Sequence, residues 1–443
     1  MLTTLLDNKV RGGKWHALID KVYAELNLHT AARKVTGKKK AAGVDGQSCE
    51  EFEEHLLVET RQLAEQIKDQ TYRPSAVRRR PKLRVGARIP KPGRPNETRP
   101  LGIPTVRDRV VQRAIVNVIE PILDHQFHER SFGFRHERGA HDALRIVEQK
   151  LQEGYVYVVD ADLKGFPFRL NVSCVEARSR FIRTVARTTR PRRFDTIPKD
   201  RLLTLVKEHV SDSRMLKLIK LFLDQNIMEE LREWTPIADV PQGAVLSPVL
   251  SNLYLNPLDH EMADNGFEMV RYADDFVVLC RSEFEAEVAL QMTSEWVESA
   301  GLTLHPTKTK IVDSRVESFA FLGYSFRGEK IYPRRESLAK MKARIKELTP
   351  RKRPGSIRSI AAELNSVLRG WFGYFRHCRW TIFKDLDGKL RSRLRRLLLQ
   401  RHKNNPKRLP HTHRWPNDFF TKAGLYSLRE AHFRFDQSVA GNY

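Results

Sequence analysis

Residues 271–279 read Arg-Tyr-Ala-Asp-Asp-Phe-Val-Val-Leu, and this short run shapes the interpretation of the whole chain. Asp274 and Asp275 are adjacent carboxylates between β-branched and aromatic residues, which predicts a hairpin with the two acids at its turn. Like charges this close repel each other, and a fold accepts them readily if a divalent cation neutralises them. An ordinary Asp-Asp hairpin turn is the alternative for this run taken alone.

A second acidic pair follows another apolar run, Tyr-Val-Tyr-Val-Val at 155–159. Side chains alternate along a strand, so Asp160 and Asp162 share one face. Three carboxylates from a strand end and a neighbouring hairpin can hold two Mg²⁺ ions roughly 3.5–4 Å apart. Such a pair of ions can activate a primer 3′-hydroxyl and stabilise a leaving pyrophosphate, and oxygen-only ligands suit Mg²⁺.

The charge of the 443-residue chain is +25 and is unevenly distributed. Residues 194–330 carry −9, whereas residues 331–443 carry +19. An acidic centre beside a strongly basic region predicts a nucleic-acid partner rather than a surface charged only for solubility. The 40% hydrophobic content excludes a wholly disordered polyelectrolyte.

The sequence shows no signature of a membrane span, a signal peptide, a zinc site or a disulfide framework. No apolar run approaches 18 residues, so we expect no membrane span, and the N-terminus shows no signal peptide. The four cysteines are scattered without a C-x-x-C pair, which predicts neither a zinc site nor a disulfide framework. We therefore expect a protein of a reducing cytoplasm.

Periodicity and composition predict the order of helices and strands. We expect helices over 15–70 broken by a basic loop at 37–46, hairpins and loops over 72–104, helices over 105–152, 200–232 and 284–300, strands near 311 and 319–323, and basic helices from 336 onward. The apolar stripe of residues 357–375 is interpreted as packing core. Trp371, Trp380 and Trp415 are also assigned to the core, with base stacking as the alternative.

Further motifs accompany the acidic pairs in a fixed order. They are AGVDG at 42–46, IPKP at 89–92, TRPLGIP at 98–104, SFGFR at 131–135, DADLKG at 160–165, PQGAVLSP at 241–248, LHPTKTK at 304–310, FLGY at 321–324 and RGWFGYF at 369–375. Over nearly its whole length the chain resembles the bacterial group II intron-encoded reverse transcriptase/maturase family, without that family's endonuclease module.

The resemblance implies an α/β (α+β) right-hand polymerase with fingers, palm, helical thumb and a basic helical maturase domain. It implies an N-terminal extension at 1–70, fingers at 71–152, palm at 153–332, thumb at 333–376 and the maturase domain at 377–443. By position in the motifs, Asp162, Asp274 and Asp275 are the implied catalytic residues and ligands of two Mg²⁺ ions, which Mn²⁺ could replace. Asp160 matches no ligand.

Binding residues are implied in the same way. The nucleotide-binding set is Lys91, Arg99, Phe194, Gln242 and Gly243. The alternative for Lys91 and Arg99 is a solvated basic loop. The nucleic-acid-binding set is Lys308, Lys310, Arg391, Arg393, Arg395, Arg396, Arg401 and Lys403, and a basic cluster of this density predicts salt-sensitive binding.

The sequence departs from the family pattern beside the first catalytic aspartate. Residues 167–193 form an insert with eight arginines and one glutamate, after which the pattern resumes at Phe194. If the insert loops out, Phe194 takes the position that packs under the sugar of the incoming nucleotide. Arg180, Arg183, Arg187 and Arg190 of the insert fall within about 80° on a helical wheel, which is consistent with a nucleic-acid clamp, a solvated excursion or an inactivating interruption.

The function implied is that of an RNA-directed DNA polymerase of a group II intron. It would use dNTPs on an RNA template with a DNA primer, and would bind the intron RNA to assist splicing and retrohoming. Two alternatives stay open from the sequence. One is a splicing-only maturase whose polymerase site the insert has inactivated, and the other is a reverse transcriptase recruited to antiviral defence.

Overall fold

The computed structural model describes residues 14–37, 41–79, 89–91, 94–99, 102–163, 197–225, 227–229, 232–234, 244–401 and 414–440. The chain divides into two compact units. The first unit comprises residues 1–150 and 157–311, and the second comprises residues 151–156 and 312–443. The insert at 167–193 lies outside the described residues. Each unit is described by itself.

The first unit begins with four helices, as the periodicity of residues 15–70 predicts. These are α1 (Ile19–Tyr23), α2 (Glu25–Thr36), α3 (Cys49–Glu54) and α4 (Leu56–Lys68). Ser48 caps α3 by accepting a hydrogen bond from the Glu51 backbone N–H, and the Glu51 side chain accepts one from the Ser48 N–H in return. This reciprocal capping satisfies two amide donors that a helix start otherwise leaves unpaired.

Short strands and two long helices follow. They are β1 (Val77–Arg79), β2 (Ile89–Lys91), β3 (Arg94–Arg99), β4 (Gly102–Ile103), α5 (Val106–Asp124) and α6 (Ala140–Gln152). Strands β2 and β3 pair as an antiparallel hairpin, which confirms the prediction for this region. Helix α5 buries thirteen of its residues, including Val110, Val111 and Ile115, and so forms the centre of the first unit's core.

The prediction of a continuous helical region over 200–232 is wrong at its C-terminal end. Helices α7 (Lys199–His209) and α8 (Ser213–Leu223) are followed by two strands, β6 (Ile227–Glu229) and β7 (Arg232–Trp234). Strand β6 pairs in parallel with β1, where Val77 lies opposite Ile227, and forms a hairpin with β7. A partner 150 residues away in sequence overrides the local helical preference, because strand formation depends on its neighbours.

The sheet of the first unit that carries Asp162 and Asp275 is built from strands that are distant in sequence. The additional elements are β5 (Tyr157–Asp162), α9 (Ser247–Asp264), β8 (Glu268–Tyr272), β9 (Asp275–Cys280), α10 (Glu283–Ser299) and β10 (Lys310–Asp313). The sheet order is β10-β5-β9-β8, with β9 antiparallel to both β5 and β8. Val158, Val159, Phe276, Val277 and Val278 are completely buried, which confirms the predicted buried strand and hairpin.

The second unit combines a small sheet with helices. It contains β11 (Phe319–Phe321), β12 (Tyr324–Arg327), β13 (Lys330–Pro333), α11 (Arg335–Leu348), α12 (Ile357–Phe375), α13 (Trp380–Arg401), α14 (Asn417–Lys422) and α15 (Leu428–Ala440). The three strands form an antiparallel meander. Ile360, Leu364, Leu368, Phe372 and Phe375 of α12 are buried, so the predicted core stripe is confirmed. Within the described residues, no helix is both long enough and apolar enough to cross a membrane.

Candidate active site

The acidic pair at 274–275 lies at a two-residue hairpin turn. Tyr272 ends β8 directly opposite Asp275, which begins β9, and only Ala273 and Asp274 connect them. Ala273 has a φ of 60°, in the left-handed region that is unfavourable for residues other than glycine. Backbone conformations of this kind cost about 1–3 kcal/mol and cluster at functional sites. The turn therefore holds Asp274 in a geometry that the surrounding structure must stabilise.

The end of β5 brings a third carboxylate to this turn. Asp162 is the cross-strand partner of Asp275, whereas Asp160 lies opposite Val277, two residues further from the turn. Directly opposed residues on antiparallel strands have Cβ atoms roughly 4.5–5.5 Å apart, so two carboxylates there repel each other. The structure thus brings Asp162 and the Asp274–Asp275 pair together as the sequence predicts.

A lysine neutralises Asp162 in this structure. The Nζ atom of Lys308 contacts Oδ2 of Asp162, a residue that is only 8% exposed. The segment carrying the lysine is fixed to the end of β5, because the His305 backbone N–H donates to the Asp162 carbonyl at 2.7 Å and Leu163 forms an antiparallel bridge with Leu304. Sequence reasoning assigned Lys308 to nucleic-acid binding, and the structure places its ammonium group at the acidic site.

The donor set at the turn fits a hard divalent cation. Asp162, Asp274 and Asp275 offer only carboxylate oxygens, and the buried Asp162 already holds a positive group. Among the residues that the structure describes, no three Asp, Glu, His or Cys side chains converge closely enough to bind a metal as they stand. A metal bound through Asp162 would compete with Lys308 for the Asp162 carboxylate.

Arg271 supports the turn from beneath and was missed by sequence reasoning as a functional residue. It is completely buried and forms a forked ion pair with Asp259 of α9, with Nε–Oδ1 and Nη2–Oδ2 distances of 2.7 and 2.5 Å. Its Nη1 donates to the Ala273 carbonyl at 2.9 Å and to the Asn252 Oδ1 at 3.1 Å. The guanidinium therefore connects the strained residue of the turn to a rigid helix.

The SFGFR motif at 131–135 packs against the same hairpin. The Phe132 N–H donates to the Arg271 carbonyl, and the Asn252 side chain donates to the Gly133 carbonyl at 2.7 Å. A Cβ atom at Gly133 would lie 2.3 Å from the Ala273 backbone nitrogen, so only glycine fits there. The motif signalled family membership in the sequence, but its contact with the turn could not be read from spacing.

The remaining predicted nucleotide-binding residues are only partly described. Lys91 ends β2 and Arg99 ends β3 in the same hairpin, where Arg99 is opposite Ile89 and Lys91 is opposite Arg94. Phe194, Gln242 and Gly243 lie outside the described residues, so their roles stay predictions. Lys310 begins β10, an edge strand of the sheet that carries Asp162 and Asp275.

The predicted basic residues of the second unit lie on α13, except Lys403, which is outside the described residues. Several of them also make contacts within the unit. Arg393 donates to the Thr349 hydroxyl at 2.6 Å, Arg395 donates to the Trp415 carbonyl at 2.9 Å, and Arg401 contacts the Arg353 carbonyl. Arg391 lies 3.7 Å from Asp387, and Arg396 is exposed. Their binding to nucleic acid stays a prediction.

Two protein families match parts of this chain. The family described as reverse transcriptase (RNA-dependent DNA polymerase) matches residues 89–174 and 192–326. The family described as the group II intron maturase-specific domain matches residues 338–415. The first match breaks at 175–191, inside the arginine-rich insert, which supports the interpretation that the insert is additional to the family plan.

Three curated proteins show the extent of the similarity. Protein YkfC of Escherichia coli is 30% identical over 331 residues, covering 66% of this chain and 78% of that protein. The uncharacterized 91 kDa protein in the cob intron of Schizosaccharomyces pombe is 24% identical, covering 62% and 41%. The group II intron-encoded protein LtrA of Lactococcus lactis is 27% identical, covering 58% and 34%. The chain therefore spans less than half the length of the last two relatives.

Proposed function

The chain belongs to the family of group II intron-encoded reverse transcriptases that carry a maturase domain, and from that premise we propose how its residues divide the work. The catalytic residues are Asp162, Asp274 and Asp275. The observation that carries this proposal is the direct opposition of Asp162 and Asp275 beside a strained turn. Opposed carboxylates at a strained turn are costly without a cation, which suits a site that gathers metal.

The reverse transcriptase domain implies dependence on a divalent cation. We propose Mg²⁺, with two ions held by the three aspartates and Mn²⁺ as a substitute. Two bound ions would supply the acidity that activates a primer 3′-hydroxyl and stabilises the leaving pyrophosphate. The protein's own part is to orient the carboxylates: Arg271 fixes the turn, and Lys308 balances the charge of Asp162 until it is displaced.

The nucleotide and template contacts form the next part of the proposal. Lys91 and Arg99 bind the triphosphate from the fingers, Phe194 packs under its sugar, and Gln242 with Gly243 lines the template–nucleotide pocket. The position of these residues in the family motifs supports the assignment. The division into N-terminal extension, fingers, palm, thumb and maturase domain at the residues given above is proposed on the same basis.

The maturase domain implies RNA binding. We propose that its RNA is the parent group II intron, and that binding assists splicing and positions DNA synthesis during retrohoming in the bacterial nucleoid. The net charge of +19 over residues 331–443 supports binding to a polyanion. Lys308, Lys310 and the basic residues of 391–403 named above are the proposed contacts.

Primer extension tests the catalytic assignment. The full chain should extend oligo(dT) on poly(rA) with Mg²⁺, and Asp274→Asn should reduce the rate at least a thousandfold while the protein still folds, because Asn keeps the size but not the charge. Asp264→Asn, which removes a carboxylate at the C-terminal end of α9, is the matched control and should retain activity.

Two outcomes would contradict the proposal. Synthesis by the Asp274→Asn variant at the unchanged rate would place the active site elsewhere. No synthesis by the unchanged chain, combined with accelerated splicing of a cognate intron RNA, would favour the splicing-only maturase.

A further inference from the structure

Trp380 differs from the other tryptophans of the second unit. Trp415 is 6% exposed, and Trp371 packs against Phe375 and Phe383 with ring centroids 4.8 and 6.1 Å apart. Trp380, the first residue of α13, is 45% exposed, so the assignment of this ring to the packing core is wrong. The exposed part of this ring is accessible to a ligand.

Two cations flank the exposed ring. The Lys384 ammonium lies 5.5 Å from the ring centroid, one helical turn along α13, and the Arg429 guanidinium lies 5.9 Å from it. Both distances allow a cation–π attraction, which restricts the orientation of the ring. The Lys384 ammonium and the Arg429 guanidinium can also bind the phosphates next to a group that stacks on the indole.

Asp387 fixes Arg429 beside this ring. The Asp387 carboxylate is 2% exposed and accepts hydrogen bonds from the backbone N–H groups of Leu428 and Arg429 at 3.1 and 3.2 Å, and from the Ser427 hydroxyl at 2.9 Å. It therefore caps the start of α15 from within α13. The backbone that carries Arg429 is thus held against α13, the helix of Trp380, by a buried contact.

A basic groove continues from Lys384. It lies between α11 and α13, has a volume of about 860 Å³, and is lined by Lys342, Lys346, Lys384, Lys389, Arg393 and Arg396, together with the acidic Asp385. Desolvation and the positive charge of the neighbouring Lys389 lower the pKa of Lys342, which is itself exposed. The lysine and arginine side chains of the groove repel each other at this spacing. An anionic chain bound between them would relieve that repulsion.

We propose that Trp380, Lys384 and Arg429 form a stacking platform for an unpaired base of bound RNA, and that the adjoining groove carries the phosphates of the same strand. This inference rests on the proposed RNA-binding function and deepens it by specifying a single-stranded segment. A duplex cannot use the platform, because its bases are already stacked on each other, whereas an unpaired base exposes its face to an aromatic ring.

Fluorescence binding measurements on the full chain test the proposal. The probes are a mixed-sequence 12-nucleotide RNA containing one 2-aminopurine, and the same strand annealed to its complement. Removing one stacking ring should weaken single-strand binding roughly 5- to 100-fold in Trp380→Ala and leave duplex binding unchanged. Trp380→Phe should recover most of the affinity. Phe284→Ala removes an aromatic ring that is 74% exposed in the first unit and should change neither affinity.

The salt dependence separates the ring from the charges. Lys384→Gln should reduce the slope of log affinity against log salt by about 0.7 for the single strand, whereas Trp380→Ala should lower affinity with the slope unchanged. Equal losses for single strand and duplex in Trp380→Ala, or no loss at all, would overturn the platform.

Two checks keep the test decisive. If Trp380→Ala proves unstable, Trp380→Leu, which keeps an apolar side chain without an aromatic face, should show the same loss of single-strand affinity, and single-strand binding as tight as that of the unchanged chain would overturn the platform. Failure of the proposed polymerase function is a separate result, seen as missing Asp274-dependent primer extension in the unchanged chain.

Discussion

Arg271 shows how one buried side chain can hold the turn that carries two of the proposed catalytic aspartates. Its five N–H donors form a planar fork that matches the Asp259 carboxylate while still reaching the Ala273 carbonyl. A buried ion pair of this kind stabilises a structure only when its geometry is nearly ideal, because both charges lose their hydration. Its retention next to the aspartates is explained by orientation of the turn more directly than by stability.

Arg271→Lys tests this role at constant charge. A lysine cannot hold Asp259 and the Ala273 carbonyl together, so we expect the rate constant of primer extension, kcat, to fall at least tenfold with little change in the KM for dTTP. Unfolding in urea should show a loss of about 2 kcal/mol. Arg145→Lys, at an exposed pair with Asp142 in the same unit, should stay within about 0.5 kcal/mol. An unchanged kcat in Arg271→Lys would show that the turn keeps its geometry without the fork.

Sequence patterns single out the acidic residues that we propose as catalytic, but not the residues that support them. Asp274 and Asp275 stand out because acids are rare among strand-forming residues. Arg271, next to them, looks like one more nucleic-acid contact, because its partners Asn252 and Asp259 lie on a separate helix. Trp380 shows the converse: the α12 stripe was correctly predicted as core, but the exposure of a ring at the start of α13 depends on what surrounds it in three dimensions.

At the scale of elements, the hairpin β8–β9 is held on both sides. Strand β5 pairs with β9, and the 131–133 segment pairs with β8, so the turn between them has little freedom to move. Strands β5, β8, β9 and β10 were predictable from local composition. Strands β6 and β7 were not, because β6 exists through its pairing with Val77 in a remote part of the chain.

Gly133→Ala tests the contact between the 131–133 segment and the turn. The added methyl group would collide with the Ala273 backbone nitrogen, and backbone cannot yield as a flexible side chain can. We expect a loss of about 1–3 kcal/mol in unfolding free energy, as for other overpacked sites, and at least a tenfold lower rate of primer extension.

Gly370→Ala is the control for this substitution. Gly370 lies within α12, and an added methyl group there would meet no neighbouring atom within 4 Å, so the same change should be neutral or stabilise the helix by up to about 1 kcal/mol. Full activity of Gly133→Ala would show that primer extension does not depend on the close approach of Gly133 to the Ala273 backbone.

At the scale of the whole molecule, charge and structure divide the chain at nearly the same place. The sequence turns strongly basic after residue 330, and the second compact unit takes over at residue 312. Composition alone therefore predicted that the chain separates an acidic chemical centre from a polyanion-binding region. Composition could not predict which basic residues form hydrogen bonds within the second unit, as Arg393 and Arg395 do.

Neutralising lysines of the basic groove should reduce RNA affinity in a salt-dependent way. For Lys342→Gln with Lys389→Gln, we expect the slope of log affinity against log salt to become shallower by about 1.4, since each contact to single-stranded RNA contributes roughly 0.7. Lys207→Gln with Lys220→Gln removes two exposed lysines of the first unit and serves as the control. Equal slopes for the two double variants would show that charge acts without regard to location.

The contact between Lys308 and Asp162 has a consequence for how the protein matures. In small zinc domains the ion is part of the folding reaction, so the apoprotein is unfolded and chelators denature it. Here the ammonium group of Lys308 already balances the buried carboxylate. A metal bound through Asp162 would exchange one cation for another at an already folded site, so we expect the free energy of unfolding in urea to be the same with and without chelator.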